Sequence, residues 1–286
     1  HYELVNGVPI SSYRLKLNEG NFNNINRFIL FRPLSKHYDN EIFITTMLRE
    51  LGFLSPRTYK VKVKIENVIS DYIFQENLKK EFLENNNKID GPILEAAEDL
   101  IKFNKLTLAR VSNKEWIEGL EKNYIISLKA IKYLNYHRMK AYPFRIKSLN
   151  KTTEGMALDE ILRFKKENLQ PKEADKIGTF QAAMFALGAD DGLSFDDTRF
   201  YFDPVNLTLE PIYYDGDTNI LSIINYDGYD GRLKKKLQDW KKVDDIILNF
   251  DNYEKNFWKY NLRNQVVSEL AKESAIKVIK KIEDLD

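Results

Sequence analysis

Short runs that alternate apolar and polar residues fill the first part of the chain, and they constrain the fold more than any other sequence feature. In "YKVKVKI" (59–65) the valines lie on one face of an extended segment and the lysines on the other. This pattern predicts a strand with one buried face. Three further runs predict strands: "SYRLKL" (12–17), "RFILF" (27–31) and "SDYIFQEN" (70–77). Strands of this kind can pair into one antiparallel sheet.

A helix is predicted between the second and third of these strands. Apolar residues recur at helical spacing between Ile42 and Leu51. Asp39 can cap the start of this helix, and Gly52 ends it. The predicted order of strand, strand, helix, strand, strand therefore gives an antiparallel sheet with a single helix packed on it.

The pattern becomes helical after "NNNKIDGP" (85–92). Helical spacing covers residues 93–104, 114–137, 156–168 and 172–187, and the tail from about residue 241. Pro171 suits the first position of the helix at 172–187. Two predicted strands interrupt the helices: "RFYF" (199–202) and "LTLEPIYY" (207–214), joined by the turn sequence "DPVN".

The sequence thus predicts an α+β fold. Residues 1–84 form a small β-rich part with one helix, and residues 85–92 form a hinge. Residues 93–286 form a larger, mainly helical part with one β-hairpin. The loops on either side of that hairpin, within 188–220, contain the residues that suggest chemistry.

Aspartates collect on both sides of the predicted hairpin. Four lie in "GADDGLSFDDTRFYF" (188–202), namely Asp190, Asp191, Asp196 and Asp197. Asp215 and Asp217 follow the hairpin, separated by one glycine. Like charges this close repel and are costly to bury unpaired, so we expect a positive partner, with a divalent metal as the leading candidate. The alternative is an Asp-Gly turn without a ligand.

Composition excludes several other classes of function. Lys and Arg number 44 against 43 for Asp and Glu, so no overall field attracts nucleic acid. The chain has no cysteine, which excludes thiolate nucleophiles and cysteine-based zinc sites and fits a cytosolic or an exported bacterial protein. The sequence has no run of 18 apolar residues, so no membrane span is predicted.

The order of a catalytic loop, a hairpin and a metal-binding aspartate is that of protein kinases. The sequence resembles the CotH family of spore-coat-protein kinases and their bacterial relatives. The resemblance rests on "RFILFRPLSKHYDNEIFITTMLRELGFLSPRTYKVKVKIENVISDYIFQENLKKEFLE" (27–84) and "RFYFDPVNLTLEPIYYDGD" (199–217). It covers most of residues 12–95 and 178–220, and it implies a two-lobed atypical protein-kinase-like fold.

The resemblance also implies roles for the aspartates. Asp215 would bind Mg²⁺ that bridges the phosphates of ATP, with Mn²⁺ as an alternative metal. Asp217 would be a second ligand or would orient metal-bound water. Asp197 stands where relatives often have an asparagine that binds metal. Asp191, with Asp190 as its rival, would orient or deprotonate the acceptor hydroxyl, although some relatives have "HGL" where this chain has "DGL" (191–193).

Phosphoryl transfer also needs a cation over the phosphates, usually held by an acid on a helix. Arg32 is the first candidate for that cation, and Arg27 and Lys16 are the alternatives. Glu41 is the candidate partner, although the helix dipole also favours an acid in a first helical turn. Glu76 is expected near the adenine or beside the cation.

The function expected from the resemblance is transfer of the γ-phosphoryl group of ATP to a hydroxyl, on serine or threonine of a surface, envelope or coat protein. The bacterial envelope is favoured over the cytoplasm. A catalytically inactive pseudokinase or envelope scaffold is one alternative. A glycosyltransferase that uses "D-x-D" with a metal is another, but its usual βαβ half does not fit the predicted strand order.

Overall fold

The computed structural model describes residues 3–5, 8–65, 67–97, 108–149, 164, 166–187, 189–194 and 196–218. The strands are β1 (Glu3–Val5), β2 (Val8–Ile10), β3 (Tyr13–Lys16), β4 (Arg27–Phe31), β5 (Thr58–Ile65), β6 (Val68–Glu76), β7 (Ile93–Ala96), β8 (Ala109–Val111), β9 (Arg199–Asp203) and β10 (Thr208–Ile212). The helices are α1 (Asp39–Glu50), α2 (Lys80–Asn85), α3 (Lys114–Glu118), α4 (Glu121–Leu149) and α5 (Pro171–Ala186). Short 3-10 helices lie at Pro33–Lys36, Lys166–Asn168 and Asp190–Leu193. The predicted α+β class is confirmed.

The N-terminal sheet has the predicted strands. Its order is β3-β4-β6-β5, and all neighbours are antiparallel. The alternation in the sequence places Phe28 and Leu30 of β4 in one apolar cluster with Tyr72 and Phe74 of β6. Helix α1 contacts β5, as predicted for the helix that packs on this sheet. The prediction of one helix in residues 1–84 is wrong, because the short helix α2 begins at Lys80. This sheet therefore follows directly from period-two patterning.

The predicted C-terminal end of α1 is confirmed, and the predicted N-terminal cap is not. The helix stops before Gly52, which has a φ of +81° that glycine adopts without a side-chain penalty. The predicted cap at Asp39 is wrong, because Asp39 is already helical and Tyr38 occupies the capping position. No side chain forms the capping hydrogen bond there.

The C-terminal sheet corrects one prediction. The β9–β10 hairpin is confirmed, with Phe202 opposite Leu209. Residues 93–96, however, form strand β7 between β8 and β9 rather than the start of a helix at 93–104. Ile93 and Leu94 point to opposite faces and are both fully buried, so this strand has an apolar run without alternation. Residues 98–104 lie outside the described part of the chain.

The helix predictions have mixed outcomes. The segment 114–137 is helical as α3 and α4, and 172–187 is helical as α5, which begins at Pro171. Of 156–168, residues 166–168 form a 3-10 helix, and residues 156–163 lie outside the described residues, as does the tail from 241. Within the described helices, none is long and apolar enough to cross a membrane.

The end of β10 reaches the N-terminal part of the chain. Ile212 forms a parallel bridge with Leu54, and the N–H of Tyr213 donates to the carbonyl of Leu54 at 2.8 Å. Both Leu54 and Ile212 are buried in one apolar cluster with β7. This contact places residues 213–217 beside the turn that precedes α1.

Candidate functional site

The two acidic loops touch each other through glycines. A Cβ atom on Gly192 would lie 2.7 Å from the carbonyl oxygen of Tyr214 and 3.2 Å from Cα of Gly216. A Cβ atom on Gly216 would lie 2.9 Å from Cβ of Ala189. Real side chains do not tolerate such distances, so both glycines are needed for the loops to pack this closely. The glycines of "DGL" (191–193) and "DGD" (215–217) therefore allow the predicted close approach of the two loops.

Asp215 has a cation from the chain itself as its partner. The ammonium group of Lys36 forms an ion pair with Oδ1 of Asp215 and lies 4.6 Å above the centre of the Phe31 ring. Lys36 ends the 3-10 helix before α1, and its side chain is only 8% exposed. Burial alone would lower the pKa of Lys36, but the carboxylates of Glu41 and Asp215 outweigh burial and raise it. Lys36 therefore stays charged at this position.

Asp217 pairs with the residue that follows Lys36. Nε2 of His37 lies 2.7 Å from Oδ1 of Asp217, and the ring nitrogen donates because a carboxylate only accepts. This hydrogen bond raises the pKa of His37 and lowers that of Asp217, against the effect of burial in both residues. His37, Asp215 and Asp217 all have positive φ angles (49°, 44° and 50°), a region that histidine and aspartate tolerate better than most residues.

Glu41, in the first turn of α1, is the most deeply buried acid near these pairs. The residue is 2% exposed, accepts a hydrogen bond from Nε2 of Gln75 at 2.6 Å and accepts another from the hydroxyl of Tyr213 at 3.0 Å. Burial raises the pKa of Glu41, and the charge of Lys36 and these two hydrogen bonds offset part of the rise. Glu41 thus lies close enough to Lys36 to raise the pKa of this lysine, whereas the sequence analysis named Arg32 as the cation for this acid.

The remaining acids lie in the loop before β9. Asp197 bonds with Ser194 in both directions, since Oγ of Ser194 donates to its carboxylate at 3.0 Å and accepts from its N–H at 3.2 Å. Burial, followed by the charge of Asp196 and also of Asp191 and Asp215, raises the pKa of Asp197 to about 7. Asp191 is exposed, and the side chain of Asp190 lies outside the described part.

A buried arginine connects this loop to the residue before Asp215. The guanidinium of Arg199 lies 4.2 Å from the ring centre of Tyr214, and its Nη1 donates to the carbonyl of Asp196 at 2.6 Å. Arg199 also forms an ion pair with Glu95 of β7 at 3.6 Å. The strand that the sequence missed therefore supports the loop that carries Asp197.

The observed contacts of Asp215 involve none of the three predicted cations. Arg27 pairs with Glu115 at 2.6 Å, and Lys16 is exposed on β3, opposite Arg27. Arg32 follows the last residue of β4, where its N–H donates to Oγ of Ser12 at 3.3 Å and its buried Nε has no hydrogen-bond partner within the described ranges. Among the described residues, the cation that the structure brings to Asp215 is Lys36, which the sequence analysis did not name.

Glu76 lies away from these pairs, between α2 and the start of β5. Its carboxylate accepts from Nδ2 of Asn85 at 2.6 Å and from the N–H of Arg57 at 3.2 Å. Burial raises the pKa of Glu76, which these hydrogen bonds partly offset. Its observed bonds tie α2 to the start of β5 and do not involve Lys36.

The carboxylates of Asp215 and Asp197 are oxygen donors of the kind that Mg²⁺ binds. Mg²⁺ usually takes one or two protein carboxylates and completes its shell with water and phosphate. Asp215 and Asp197 are close enough for the charge of one to affect the other. Within the described ranges, no group of three Asp, Glu or His side chains could hold a metal alone. These residues fit a metal that arrives with a phosphate ligand better than a permanently bound ion.

In comparisons with known proteins, no protein-family model matches the chain and no curated protein gives a significant match. The resemblance to the CotH family therefore stays a prediction from the sequence motifs.

Proposed function

We propose that this protein is an ATP- and Mg²⁺-dependent phosphotransferase with a two-lobed, CotH-like kinase fold. The observation that supports this proposal best is the grouping of a buried lysine, a helix acid and a strand-end aspartate: Lys36, Glu41 and Asp215. Phosphoryl-transfer enzymes of the kinase type need these three groups to hold and neutralise phosphates. The acceptor we propose is a serine or threonine hydroxyl of an envelope or coat protein.

Each residue has a role consistent with its surroundings. Lys36 stays charged, and the N–H donors of its ammonium group that do not bond Asp215 would bind phosphate oxygens. Asp215 and Asp197 would hold Mg²⁺, which supplies charge neutralisation when bound. Glu41 would keep Lys36 in place from the first turn of α1. Asp191, exposed next to this group, is the candidate that orients the acceptor hydroxyl.

Thermal unfolding with and without ligands tests the proposal without knowledge of the acceptor. The ligands are ATP with Mg²⁺, ATP without metal, and a UDP-sugar with Mn²⁺. Asp215→Asn is the test variant, and Asp71→Asn is its control, because Asp71 is exposed on β6, outside the site. A ligand at 100 times its dissociation constant stabilises by about 2.7 kcal/mol, which raises the melting temperature by a few degrees.

A shift with ATP and Mg²⁺ that Asp71→Asn keeps and Asp215→Asn loses would support the phosphotransferase. Release of ADP during incubation would then show turnover. A shift with UDP-sugar and Mn²⁺ alone would replace the proposal with a glycosyltransferase. If Asp215→Asn binds ATP and Mg²⁺ as tightly as the parent chain, the metal assignment is wrong.

A second candidate is a non-catalytic pseudokinase or envelope scaffold. The observation that favours it is that Lys36 and His37 already neutralise Asp215 and Asp217 without a metal. Asp197, where relatives often have asparagine, adds negative charge to the same place. Absence of any shift with all three ligands would favour this scaffold.

A further inference from the structure

One hydroxyl group contacts both segments that meet at the candidate site. The hydroxyl of Tyr213 donates to Oε2 of Glu41 at 3.0 Å and accepts the N–H of Gly216 at 3.3 Å. Tyr213 is fully buried, so water does not compete for these bonds. The first bond reaches helix α1, and the second reaches the backbone between Asp215 and Asp217.

The N–H of Gly216 belongs to the backbone between the two aspartates of the candidate site. The residues on both sides of it, Asp215 and Asp217, have φ angles of 44° and 50°. Cε2 of Tyr213 would lie only 2.8 Å from a Cβ atom on Gly216, so the ring also packs directly against this backbone. The Tyr213 side chain thus fixes the peptide that sets the direction of both aspartates.

The same contact defines the position of the helix acid. Glu41 has two bonded carboxylate oxygens, one with Gln75 of the N-terminal sheet and one with Tyr213. Lys36 and His37, shortly before Glu41 in the chain, pair with Asp215 and Asp217. A shift of Glu41 relative to Gly216 would therefore change the alignment of both ion pairs.

We propose that Tyr213 is a positioning residue of the site: its hydroxyl couples helix α1 to the Asp215–Asp217 loop and sets the geometry in which these aspartates bind metal and nucleotide. The binding half of this inference rests on the proposed phosphotransferase function. The coupling half rests only on the contacts of Tyr213 with Glu41 and Gly216.

Tyr213→Phe removes the hydroxyl and keeps the ring. Tyr201→Phe is a matched control, because Tyr201 is 1% exposed and its hydroxyl donates to the carbonyl of Ile89 at 2.8 Å, away from the 213–217 loop. Hydrogen exchange of the Gly216 amide is measured in the full chain for the parent and both variants. The dissociation constant for ATP with Mg²⁺ is measured in parallel.

We expect exchange at Gly216 to become about 2- to 12-fold faster in Tyr213→Phe, which corresponds to about 0.5–1.5 kcal/mol for one hydrogen bond. Binding of ATP with Mg²⁺ should weaken by roughly 10- to 100-fold, as for other residues that orient metal ligands. Tyr201→Phe should change neither quantity.

Four outcomes distinguish failure of the coupling, of the positioning role and of the proposed function. Unchanged Gly216 exchange in Tyr213→Phe would overturn the inference, and so would equal acceleration in Tyr201→Phe, since that would show only a general loss of stability. Faster exchange with unchanged binding of ATP and Mg²⁺ would overturn the positioning role. If the parent chain does not bind ATP with Mg²⁺, the proposed function fails, while faster exchange at Gly216 in Tyr213→Phe alone would still support the coupling.

Discussion

Replacing Lys36 with methionine tests how charge is balanced at the candidate site. Methionine keeps an unbranched side chain against Phe31 and removes the charge that acts on Glu41 and Asp215. The Asp215 side chain is 48% exposed, so loss of its ion pair costs only about 0–1 kcal/mol. Glu41 is 2% exposed and cannot reach water in the same way. The larger effect should therefore come from Glu41.

The size of that effect follows from protonation. Without Lys36, the buried Glu41 takes up a proton rather than stay charged. The ordinary pKa of a glutamate is 4.5, and protonation above it costs 1.36 kcal/mol for each pH unit, or at most about 3 kcal/mol at pH 7. At pH 5 the same limit is below about 1 kcal/mol.

The sign of the pH dependence is fixed by the direction of the pKa shift. Burial raises the pKa of Glu41 in the folded chain, so the folded chain releases this proton at a higher pH than the unfolded chain does. Stability from this group therefore falls as pH rises, and it falls further once Lys36 is gone. Part of this cost is already present in the parent chain, where the pKa of Glu41 is raised with Lys36 in place. We therefore expect Lys36→Met to destabilise the chain by about 1 kcal/mol at pH 5 and about 1–3 kcal/mol at pH 7.

Urea unfolding of Lys36→Met, Glu41→Gln and the double variant at both pH values measures this coupling. At pH 7 the double variant should regain about 1–3 kcal/mol relative to Lys36→Met. Lys176→Met is the control, because its partner Glu210 keeps Lys88 at 2.7 Å, so its effect should be similar at both pH values. An equal loss at pH 5 and pH 7 for Lys36→Met, with no recovery in the double variant, would refute the reasoning.

Three further substitutions have clear expected outcomes. Gly192→Ala should lower the free energy of unfolding by about 1–3 kcal/mol because its Cβ atom would meet Tyr214 at 2.7 Å; Gly119→Ala, with its nearest contact at 3.7 Å, is the control in the same urea assay. Asp197→Asn should stabilise the chain more at pH 8 than at pH 5, since the pKa of Asp197, raised from 3.8 to about 7, makes ionisation in the folded chain increasingly unfavourable as pH rises; identical urea midpoint changes at both pH values would contradict this. Asn113→Ala should cost about 2–4 kcal/mol, because its side chain bonds both the N–H of Ile93 and the carbonyl of Gly91 at 2.8 Å.

The N-terminal sheet could be predicted from sequence because each strand has one buried face. Period-two alternation in 59–65 and 27–31 reports that burial directly, and the observed strands match these runs within a residue. Strand β7 could not be predicted in the same way. It lies between two neighbours and is buried on both faces, so "ILEA" has no alternation, and its partners are far away in the sequence.

The candidate site was predicted from its acidic half only. Asp215, Asp217 and Asp197 stand beside turn residues and a hairpin, which are local signals that a sequence reveals. The partners of Asp215 and Asp217 are Lys36 and His37, which lie about 180 residues earlier in a 3-10 helix and the turn that follows it. Kinase cations usually lie on strands, which favoured Arg32, and no local pattern marks a lysine in a short turn.

Asp215 and Asp217 lie shortly after the end of β10, and their spacing matches that of their partners. The consecutive residues Lys36 and His37 pair with aspartates two positions apart, and Tyr213 joins Glu41 to the peptide between those aspartates. Under the proposed function, a metal can bind the second carboxylate oxygen of Asp215 while Oδ1 accepts from Lys36, because both oxygens of a carboxylate are acceptors. The ammonium group of Lys36 also lies close enough to Glu41 for that carboxylate to raise its pKa, and the phosphates of a nucleotide would be a further anionic partner for it. The lysine that pairs with Asp215 is therefore the group that would bind the nucleotide.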